Sequence, residues 1–182
     1  MLIILDLDET LIHAVEGSVN GNPEDFRVGP YRVYVRPGLQ DFLAFCREHF
    51  QVAVWTSSTE SYAAEIVAQI FGPAYPLAFV WARGRCSRVY NSELQSYESV
   101  KDLVKVRRRG FDLTRVLVVD DTPAMLARSY GNLVRIRPYL GETSDRELAL
   151  LQTYLLELKD AANVRVIEKR GWRERFAPSL ER

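Results

Sequence analysis

The stretch LIILDLDET, residues 2–10, decides the fold because it begins as a buried strand and ends in carboxylates. Its first four residues are Leu or Ile, a run typical of a strand that is covered on both faces. Asp6 and Asp8 follow at once, separated by one residue. Two carboxylates this close repel each other, and both lose hydration when they are buried. We therefore expect a neutralising charge from another part of the chain.

Composition and charge are those of a globular domain. The chain has 182 residues, 47% of them hydrophobic and 26% charged, which suffices for one domain with a sizeable core. Lys+Arg and Asp+Glu are both 24, so no net field attracts nucleic acid or a membrane. The sequence shows neither a signal peptide nor a stretch that could span a bilayer. We expect a cytoplasmic protein without a membrane partner, or a nuclear one if the host is eukaryotic.

Strand-type and helix-type segments alternate along the chain. Strands are predicted at residues 2–7, 31–36, 51–58, 77–82, 116–121 and 132–136. Helices are predicted from Leu39, from a Ser57–Glu60 capping box, from Thr122-Pro123 to Gly131, and from a Ser144–Glu147 capping box. Residues 17–29 favour a loop. This alternation predicts an α/β fold with a mainly parallel central sheet and helices on both faces.

One domain is expected over residues 1–166. Within it, residues 83–99 are polar and irregular, with room for a short insert or a small hairpin. A charged, loosely ordered tail is expected over residues 167–182. The sequence does not indicate an oligomeric state, and the roles of the insert and of the basic run Arg107–Arg109 stay open.

Polar side chains cluster where the buried strands end. In a parallel sheet, ligands bind beyond the carboxyl ends of the strands. The groups at these ends are Asp6, Asp8 and Thr10 after the first strand, Thr56 and Ser57 after the second, and Asp120 and Asp121 at the fourth. Lys101 is one of only four lysines in the chain, against twenty arginines, and lies between the last two groups in sequence. We expect these groups to converge on one site.

Their combined chemistry indicates phosphoryl transfer. Several carboxylates around one point require a cation, and oxygen ligands suit Mg²⁺. One carboxylate can act as a covalent nucleophile, and a second can serve as general acid and then general base. A threonine hydroxyl and a lysine ammonium can hold the oxygens of a phosphoryl group. The set predicts hydrolysis of a phosphomonoester through an aspartyl-phosphate.

The motifs resemble those of the haloacid dehalogenase superfamily. DLDETL (residues 6–11) is similar to its motif I, WTSS (55–58) to motif II, Lys101 to motif III, and VVDD (118–121) to motif IV. The segments VYVRPG, RGRC, YESVKDL and TSDRELALL occur in the order seen in its FCP/SCP branch, which includes the NLI-interacting-factor-like phosphatases. The resemblance implies a Rossmann-like fold with a small insert rather than a large cap.

The resemblance also implies roles for the acidic residues. Asp6 would be the nucleophile and a Mg²⁺ ligand, and Asp8 the general acid/base, with its backbone carbonyl on the metal. Asp121 would bind the metal directly and Asp120 would support the metal shell. Many small phosphatases of this branch have Asn at the position of Asp121. The Asp of this chain matches the larger branch and much of the superfamily.

The remaining candidates would bind the phosphorylated substrate. By the same resemblance, Thr56 and Lys101 hold the phosphoryl group, and Arg83 falls where a phosphate-contacting arginine is expected. Thr10 and Ser57, at the same strand ends, are further candidates for substrate binding.

The substrate itself is left open by the sequence. The resemblance favours phosphoserine or phosphothreonine in a protein, as in the RNA polymerase II C-terminal domain. The insert at residues 83–99 matches the branch poorly, so nucleic-acid ends with a 3′-phosphate and small phosphorylated metabolites remain alternatives. A non-enzymatic receiver domain is disfavoured, because its paired acids lie on the opening strand and its phosphoacceptor comes later, the reverse of the order here.

Overall fold

The computed structural model describes residues 1–19, 21–91 and 95–176. Its strands are β1 (Leu2–Leu5), β2 (Ile12–Val15), β3 (Phe26–Val28), β4 (Tyr31–Val35), β5 (Gln51–Trp55), β6 (Leu77–Trp81), β7 (Ser87–Asn91), β8 (Ser96–Val100), β9 (Val116–Asp120) and β10 (Leu133–Arg135). Its helices are α1 (Leu39–His49), α2 (Glu60–Phe71), α3 (Val104–Arg107) and α4 (Glu147–Leu158). None of the helices in these ranges has the length and hydropathy needed to cross a membrane.

A parallel sheet in the order β10-β9-β1-β5-β6 forms the centre of the fold. β1 lies in the middle, with Leu5 in register with Val54 of β5 and Val119 of β9. The three central strands therefore end level with one another. Side chains that follow them lie at one edge of the sheet, as expected for this topology. The predicted α/β class with a parallel central sheet is confirmed.

Each face of this sheet is buried by a different set of residues. Alternate residues of β1, β5 and β9 pack with α1, α2 and α4 on one face, namely Ile3, Leu5, Val52, Val54, Leu117 and Val119. The residues between them pack with α3 and the segment after β9 on the other, namely Leu2, Ile4, Ala53, Trp55, Val116 and Val118. Because side chains alternate along a strand, burial on both faces requires the continuous apolar runs seen in the sequence.

Two smaller β units flank the sheet. β2, β4 and β3 form an antiparallel sheet in that order, and β7 pairs with β8 as a hairpin. The hairpin occupies the segment for which the sequence leaves room, although residues 92–94 lie outside the described residues. The loop predicted over residues 17–29 is wrong for Phe26–Val28, which form β3. A strand of three residues, surrounded by Gly, Asn and Pro, is too short to show the alternation of apolar and polar side chains that indicates a strand.

The capping box predicted from Ser57 and Glu60 does not form. α2 begins at Glu60 after Thr59, and no side chain caps it. The Glu60 carboxylate instead accepts a hydrogen bond from the backbone N–H of Gly84, at 3.1 Å. Ser57 is thereby left outside the helix, beside the site described below.

The capping box predicted from Ser144 and Glu147 is also wrong. α4 begins at Glu147, and the Asp145 carboxylate accepts a hydrogen bond from its backbone N–H at 2.9 Å. Asp145 performs the function expected of Ser144, one residue further along. Its carboxylate also pairs with a buried arginine, a tertiary contact that the local sequence does not contain.

The helix predicted from Thr122-Pro123 to Gly131 is replaced by two 3-10 turns, Pro123–Leu126 and Tyr130–Asn132. The chain returns to the sheet at Leu133, and residues 127–129 between the two turns are not helical. Thr122-Pro123 therefore begins a short 3-10 turn, and Gly131 lies in a second one, but no α-helix connects the two.

The loosely ordered tail expected after residue 166 is wrong for residues 167–176. Trp172 is buried, donates its indole N–H to the Arg135 carbonyl at 2.9 Å, and stacks on Tyr154. The Lys169 ammonium donates to the carbonyls of Gly131 and Ile167 at 2.8 and 2.9 Å. Residues 177–182 of the predicted tail lie outside the described residues.

Arg36 joins three segments around the turn that follows β1. Its side chain is fully buried and makes two hydrogen bonds to Asp145, at 2.9 and 2.8 Å. It also donates to the carbonyls of Thr10 and Arg137, both at 2.9 Å. A buried charge is tolerated only when it is paired and hydrogen-bonded in this way.

We expect Arg36→Met to destabilise the protein by about 3 kcal/mol, because it leaves Asp145 and two carbonyls without their donor. Urea unfolding followed by circular dichroism measures the change. Arg27→Met is the matched control: Arg27 is exposed and pairs with Glu24, so its loss should cost at most about 0.5 kcal/mol. Equal effects of the two substitutions would contradict the structural role of Arg36.

Candidate active site

The centre of the site is the ammonium of Lys101, which lies between two carboxylates. Its Nζ donates to Oδ1 of Asp6 at 2.6 Å and to Oδ2 of Asp120 at 2.7 Å. Lys101 and Asp120 are almost fully buried, and Asp6 is 7% exposed. The backbone of Lys101 is fixed by a hydrogen bond from its N–H to the Met125 carbonyl at 2.7 Å. The counter-charge expected for the strand-end carboxylates is therefore this lysine.

Burial shifts the ionisation of these groups. Burial raises the pKa of Asp6 to about 8, although the Lys101 ammonium opposes the shift. Burial and the neighbouring Asp120 also raise the pKa of Asp121. Burial alone would lower the pKa of Lys101, but Asp6 and Asp120 outweigh it, and its pKa is raised. The lysine stays charged, while the carboxylates need further positive charge to be fully ionised.

Asp6, Asp120 and Asp121 form a group that can hold a metal ion. One carboxylate oxygen of each lies within 4.8 Å of the other two. Both oxygens of Asp120 already accept hydrogen bonds, from Lys101 and from the N–H of Thr122 at 2.8 Å. Within the described residues, no hydrogen bond reaches Oδ2 of Asp6. The donor set is all oxygen and carries excess negative charge, so it fits a hard divalent cation.

The Asp8 carboxylate has a separate set of partners. Its Oδ2 accepts from Ser58 Oγ at 2.7 Å and, more weakly, from Thr56 Oγ1 at 3.5 Å, while Oδ1 accepts from the Tyr62 hydroxyl at 2.6 Å. Burial, and then the Asp8 charge, raise the pKa of Tyr62, so this hydroxyl remains a donor. Asp8 is held by hydroxyls, whereas Asp6 is held by an ammonium. The metal contact predicted for Asp8 runs through its backbone and stays a prediction.

A strained turn positions the two aspartates. Glu9 has φ +53°, a left-handed conformation that is uncommon for a residue other than Gly. The carbonyl of Leu7 accepts hydrogen bonds from the backbone N–H groups of Thr10, Leu11 and Ile12, which closes the turn. Strain of this kind persists where the surrounding contacts enforce it, often at functional sites.

Two connected cavities lie over these residues. An inner one of about 60 Å³ is lined by Asp6, Lys101, Asp120 and Asp121, and an outer one of about 370 Å³ by Tyr31, Ser58, Tyr62 and Arg83. Asp8, Glu9 and Ser57 line both. The inner cavity has room for an ion and a few small atoms, and the outer cavity adjoins it at the three shared residues. We call the outer cavity the cleft.

Three of the predicted binding residues differ in where their side chains lie. Arg83 lines the cleft and donates its Nε–H to the Ser57 carbonyl at 2.8 Å, so it is placed to meet a substrate. Thr56 is buried and lines neither cavity, although its hydroxyl contacts Asp8. Thr10 is fully buried, and its hydroxyl has no hydrogen-bond partner within the described residues. The structure does not bring Thr10 to the site, because the turn directs it into the core.

Ser58 and Tyr62 are site residues that the sequence interpretation missed. Ser58 follows Ser57 in the WTSS motif, and only the geometry distinguishes the two. Tyr62 lies on α2 beside the buried residues Ala63 and Ile66, where helical periodicity alone indicates packing in the core. Its position in the first turn of α2, six residues after Thr56, is the only signal that could have indicated it.

The chain resembles characterised phosphatases over most of its length. A family model described as NLI interacting factor-like phosphatase matches residues 1–165. CTD nuclear envelope phosphatase 1 of Xenopus tropicalis is 30% identical, over 93% of this chain and 72% of its own. Nuclear envelope morphology protein 1 of Schizosaccharomyces pombe is 29% identical, over 90% of this chain but only 34% of its own.

A solved structure shares the fold. The fission yeast RNA polymerase II CTD phosphatase Fcp1, bound to beryllium fluoride, superposes with a TM-score of 0.54 at 24% identity. The match covers 86% of this chain and 50% of that one, so the chain spans about half the length of this neighbour. At this identity the likeness bears on the fold alone, and it agrees with the predicted haloacid dehalogenase architecture.

We expect Lys101→Met to destabilise the metal-free protein by about 3–5 kcal/mol at pH 7, because Asp6 and Asp120 lose their counter-ion. The loss should be larger at pH 9 than at pH 7. The ammonium lowers the pKa of Asp6, which is about 8 in the wild type, so the folded variant keeps the Asp6 proton to higher pH. Between pH 7 and pH 9 the folded wild type releases this proton and the folded variant does not, while the unfolded chain has already released it in both, so the stability of the variant falls more steeply. Urea unfolding in EDTA at both pH values measures this.

Lys159→Met is the control for this prediction. Lys159 follows α4 and has no side-chain ion pair within the described residues, so its loss should change stability by about 0.5 kcal/mol at most, with no pH trend. A Lys101 variant that behaves like this control would show that the buried carboxylates do not need the ammonium.

Proposed function

Because the chain belongs to the NLI interacting factor-like phosphatase family, we propose that it hydrolyses phosphomonoesters with the help of Mg²⁺ and through an aspartyl-phosphate. Family membership supports the predicted enzyme class, a phosphoric monoester hydrolase, over the receiver alternative. The observation that carries the mechanism is the pairing of Asp6 with the buried Lys101 beside Asp120 and Asp121, while Asp8 borders the same inner cavity.

Asp6 would be the nucleophile. A carboxylate oxygen of Asp6 attacks the phosphorus, an O–P bond forms to the enzyme, and the bond from phosphorus to the substrate oxygen breaks. Lys101 holds Oδ1 of Asp6 at 2.6 Å, which fixes the direction of the second oxygen. A rigid nucleophile avoids part of the entropic cost of alignment.

Asp8 would transfer the protons. It donates a proton to the leaving oxygen in the first step and takes one from the attacking water in the second, so that inorganic phosphate and free Asp6 are restored. Hydrogen bonds from Ser58 and Tyr62 hold its carboxyl at the border between the inner cavity and the cleft. A proton donor at this border lies between the nucleophile and the departing part of the substrate.

The phosphoryl oxygens would be held by positive and polar groups around the inner cavity. Lys101 and Ser57 line it, and Thr56 supports the Asp8 side of it through its hydroxyl. Asp6, Asp121 and the backbone carbonyl of Asp8 would hold Mg²⁺, with Asp120 orienting Lys101. The ion would supply the positive charge that keeps the carboxylates ionised and neutralises the phosphoryl group.

The proposed substrate is a phosphoserine or phosphothreonine in a protein. The solved neighbour is named for its action on the RNA polymerase II CTD, and the Xenopus relative is named as a CTD nuclear envelope phosphatase. An open cleft of about 370 Å³ suits a side chain presented on a polypeptide. Nucleic-acid ends and small metabolites remain alternatives for a substrate panel, and a cytoplasmic or nuclear location remains a prediction.

We expect Asp6→Asn to lower the Mg²⁺-dependent hydrolysis of an aryl phosphate by at least about 10³-fold, because the amide is a poor nucleophile. Release of the phenol product measures the rate. Asp160→Asn is the control: Asp160 is exposed and follows α4, near the amino end of β9, and its loss should leave the rate unchanged. Retained turnover by a folded Asp6 variant would rule out the proposed nucleophile.

Mg²⁺ at ten times its dissociation constant should raise the melting temperature of the wild-type protein by about 3–5 °C, through about 1.4 kcal/mol of binding energy. Asp121→Asn removes one charged ligand and should reduce the shift to less than about 1 °C at the same concentration. Differential scanning fluorimetry measures both, with Asp160→Asn as the control. An undiminished shift in the Asp121 variant would place the ion elsewhere.

A further inference from the structure

A third cavity, of about 400 Å³, lies beside the cleft and is lined by cations over an aromatic floor. Its lining is Trp81, Arg85, Lys105, Arg108 and Arg109. We call it the basic pocket. It includes two residues of the run Arg107–Arg109, to which the proposed mechanism gives no role. The catalytic residues named above do not line it.

The pocket gathers positive charge without a matching negative one. No carboxylate belongs to its lining, and within residues 1–19, 21–91 and 95–176 none of its cations forms an ion pair. The chain as a whole carries a formal net charge of +0, so this concentration of cations is local. Like charges held together in a concave surface raise its affinity for an anion.

Part of this positive surface is already ordered. The guanidinium of Arg109 lies over the rings of Phe79 and Trp81, at 5.1 and 5.8 Å, and that of Arg85 lies over Trp81 at 5.5 Å. The ammonium of Lys105 donates to the Arg85 carbonyl at 2.6 Å. Arginines held in this way lose less side-chain entropy when they pair with a carboxylate or phosphate.

The aromatic floor indicates which anion is suitable. Single-stranded nucleic acids bind by stacking bases on free aromatic faces. Here Trp81 is only 5% exposed, because it stacks on Phe79 at 4.2 Å, meets the edge of Trp55 at 4.8 Å, and is covered by arginines. A base would find no free ring, whereas carboxylates and phosphates would find the guanidinium groups. The pocket therefore suits an acidic or phosphorylated peptide.

The pocket and the cleft share one wall. The 3-10 turn Arg83–Arg85 contributes Arg83 to the cleft and Arg85 to the basic pocket. Trp81, at the floor of the pocket, accepts a hydrogen bond through its carbonyl from the N–H of Thr56 at 2.9 Å. Both cavities thus lie at the carboxyl ends of β5 and β6. A polypeptide that leaves the cleft past Arg83 reaches the basic pocket next.

The geometry points to the basic pocket as a docking site for an anionic segment of the same polypeptide whose phosphorylated residue occupies the cleft. The segment is a run of Asp or Glu, or a second phosphorylated residue, and it pairs with Arg108 and Arg109. This inference rests on the proposed phosphatase function and adds a substrate class to it. The pocket would act on substrate capture and not on the chemical step.

Kinetics with matched peptides test the inference. The reference peptide has one phosphoserine with neutral flanks. A second set carries four Glu placed two to six residues before or after the phosphoserine. A third set carries a second phosphoserine at those positions instead. The wild type should show a KM about 10-fold lower for the best anionic peptide, with similar kcat. In R108Q/R109Q the preference should fall to within about 2-fold, while aryl phosphate turnover is unchanged.

The control R47Q/R107Q removes the same charge from two exposed arginines outside the pocket and should keep the preference. Replacing Arg109 also removes its contacts with Phe79 and Trp81, which could change the packing. Arg108→Glu is therefore a second test, since it reverses one charge of the pocket and leaves those aromatic contacts in place. An equal loss in R47Q/R107Q would assign the preference to net charge and overturn the site. A wild type without any preference for anionic flanks would also overturn it.

A binding measurement separates this inference from the proposed function. Fluorescence anisotropy with a labelled, unphosphorylated Glu-rich peptide needs no turnover, and R108Q/R109Q should weaken binding about 10-fold at low salt. If aryl phosphate turnover is absent while this binding difference persists, the proposed function fails and the pocket stands. If a labelled oligonucleotide, but not the peptide, binds in an Arg108-dependent manner, the peptide docking site is wrong.

Discussion

The ammonium of Lys101 between Asp6 and Asp120 is the interaction on which the site depends. Three charges are removed from water there, and a buried ion is tolerated only when its partners are close and its hydrogen bonds are satisfied. The lysine neutralises part of the acidic charge but leaves an excess once Asp121 is included. The site is therefore stable enough to fold and still attracts a cation.

Much of this could be predicted because a parallel sheet converts sequence position into spatial position. Residues that follow β1, β5 and β9 meet at one edge once the strands are in register, so Asp6, Asp120 and Asp121 could be grouped without a structure. Lys101 follows β8, which is not part of this sheet, and only the resemblance to known motifs indicated its place. The strands themselves were predictable since burial on both faces imposes continuous apolar runs. The short strand Phe26–Val28 was not, because three residues cannot establish a period.

The errors have a common physical cause, which is tertiary competition for a local signal. Glu60 has the spacing of a capping box with Ser57, but its carboxylate accepts a hydrogen bond from the N–H of Gly84. Ser144 has the same spacing with Glu147, but the neighbouring Asp145 accepts the hydrogen bond from the N–H of Glu147 and also pairs with Arg36. Helical periodicity places Tyr62 next to the buried residues of α2, yet its hydroxyl reaches Asp8. A pattern specifies which face of an element is buried, but not whether a polar atom at the end of a buried side chain finds a partner.

The arrangement separates chemistry from substrate choice. In the proposed mechanism the charges that act on the phosphoryl group are buried and paired, and they would treat any phosphomonoester alike. The charges on Arg108 and Arg109 lie at the surface, unpaired with any carboxylate in the described part of the chain, and line a different cavity from Asp6 and Lys101. Surface cations change association and affinity more than the chemical barrier. If the proposed roles hold, substrate preference can change through residues around the turn Arg83–Arg85 without altering the contacts of Asp6.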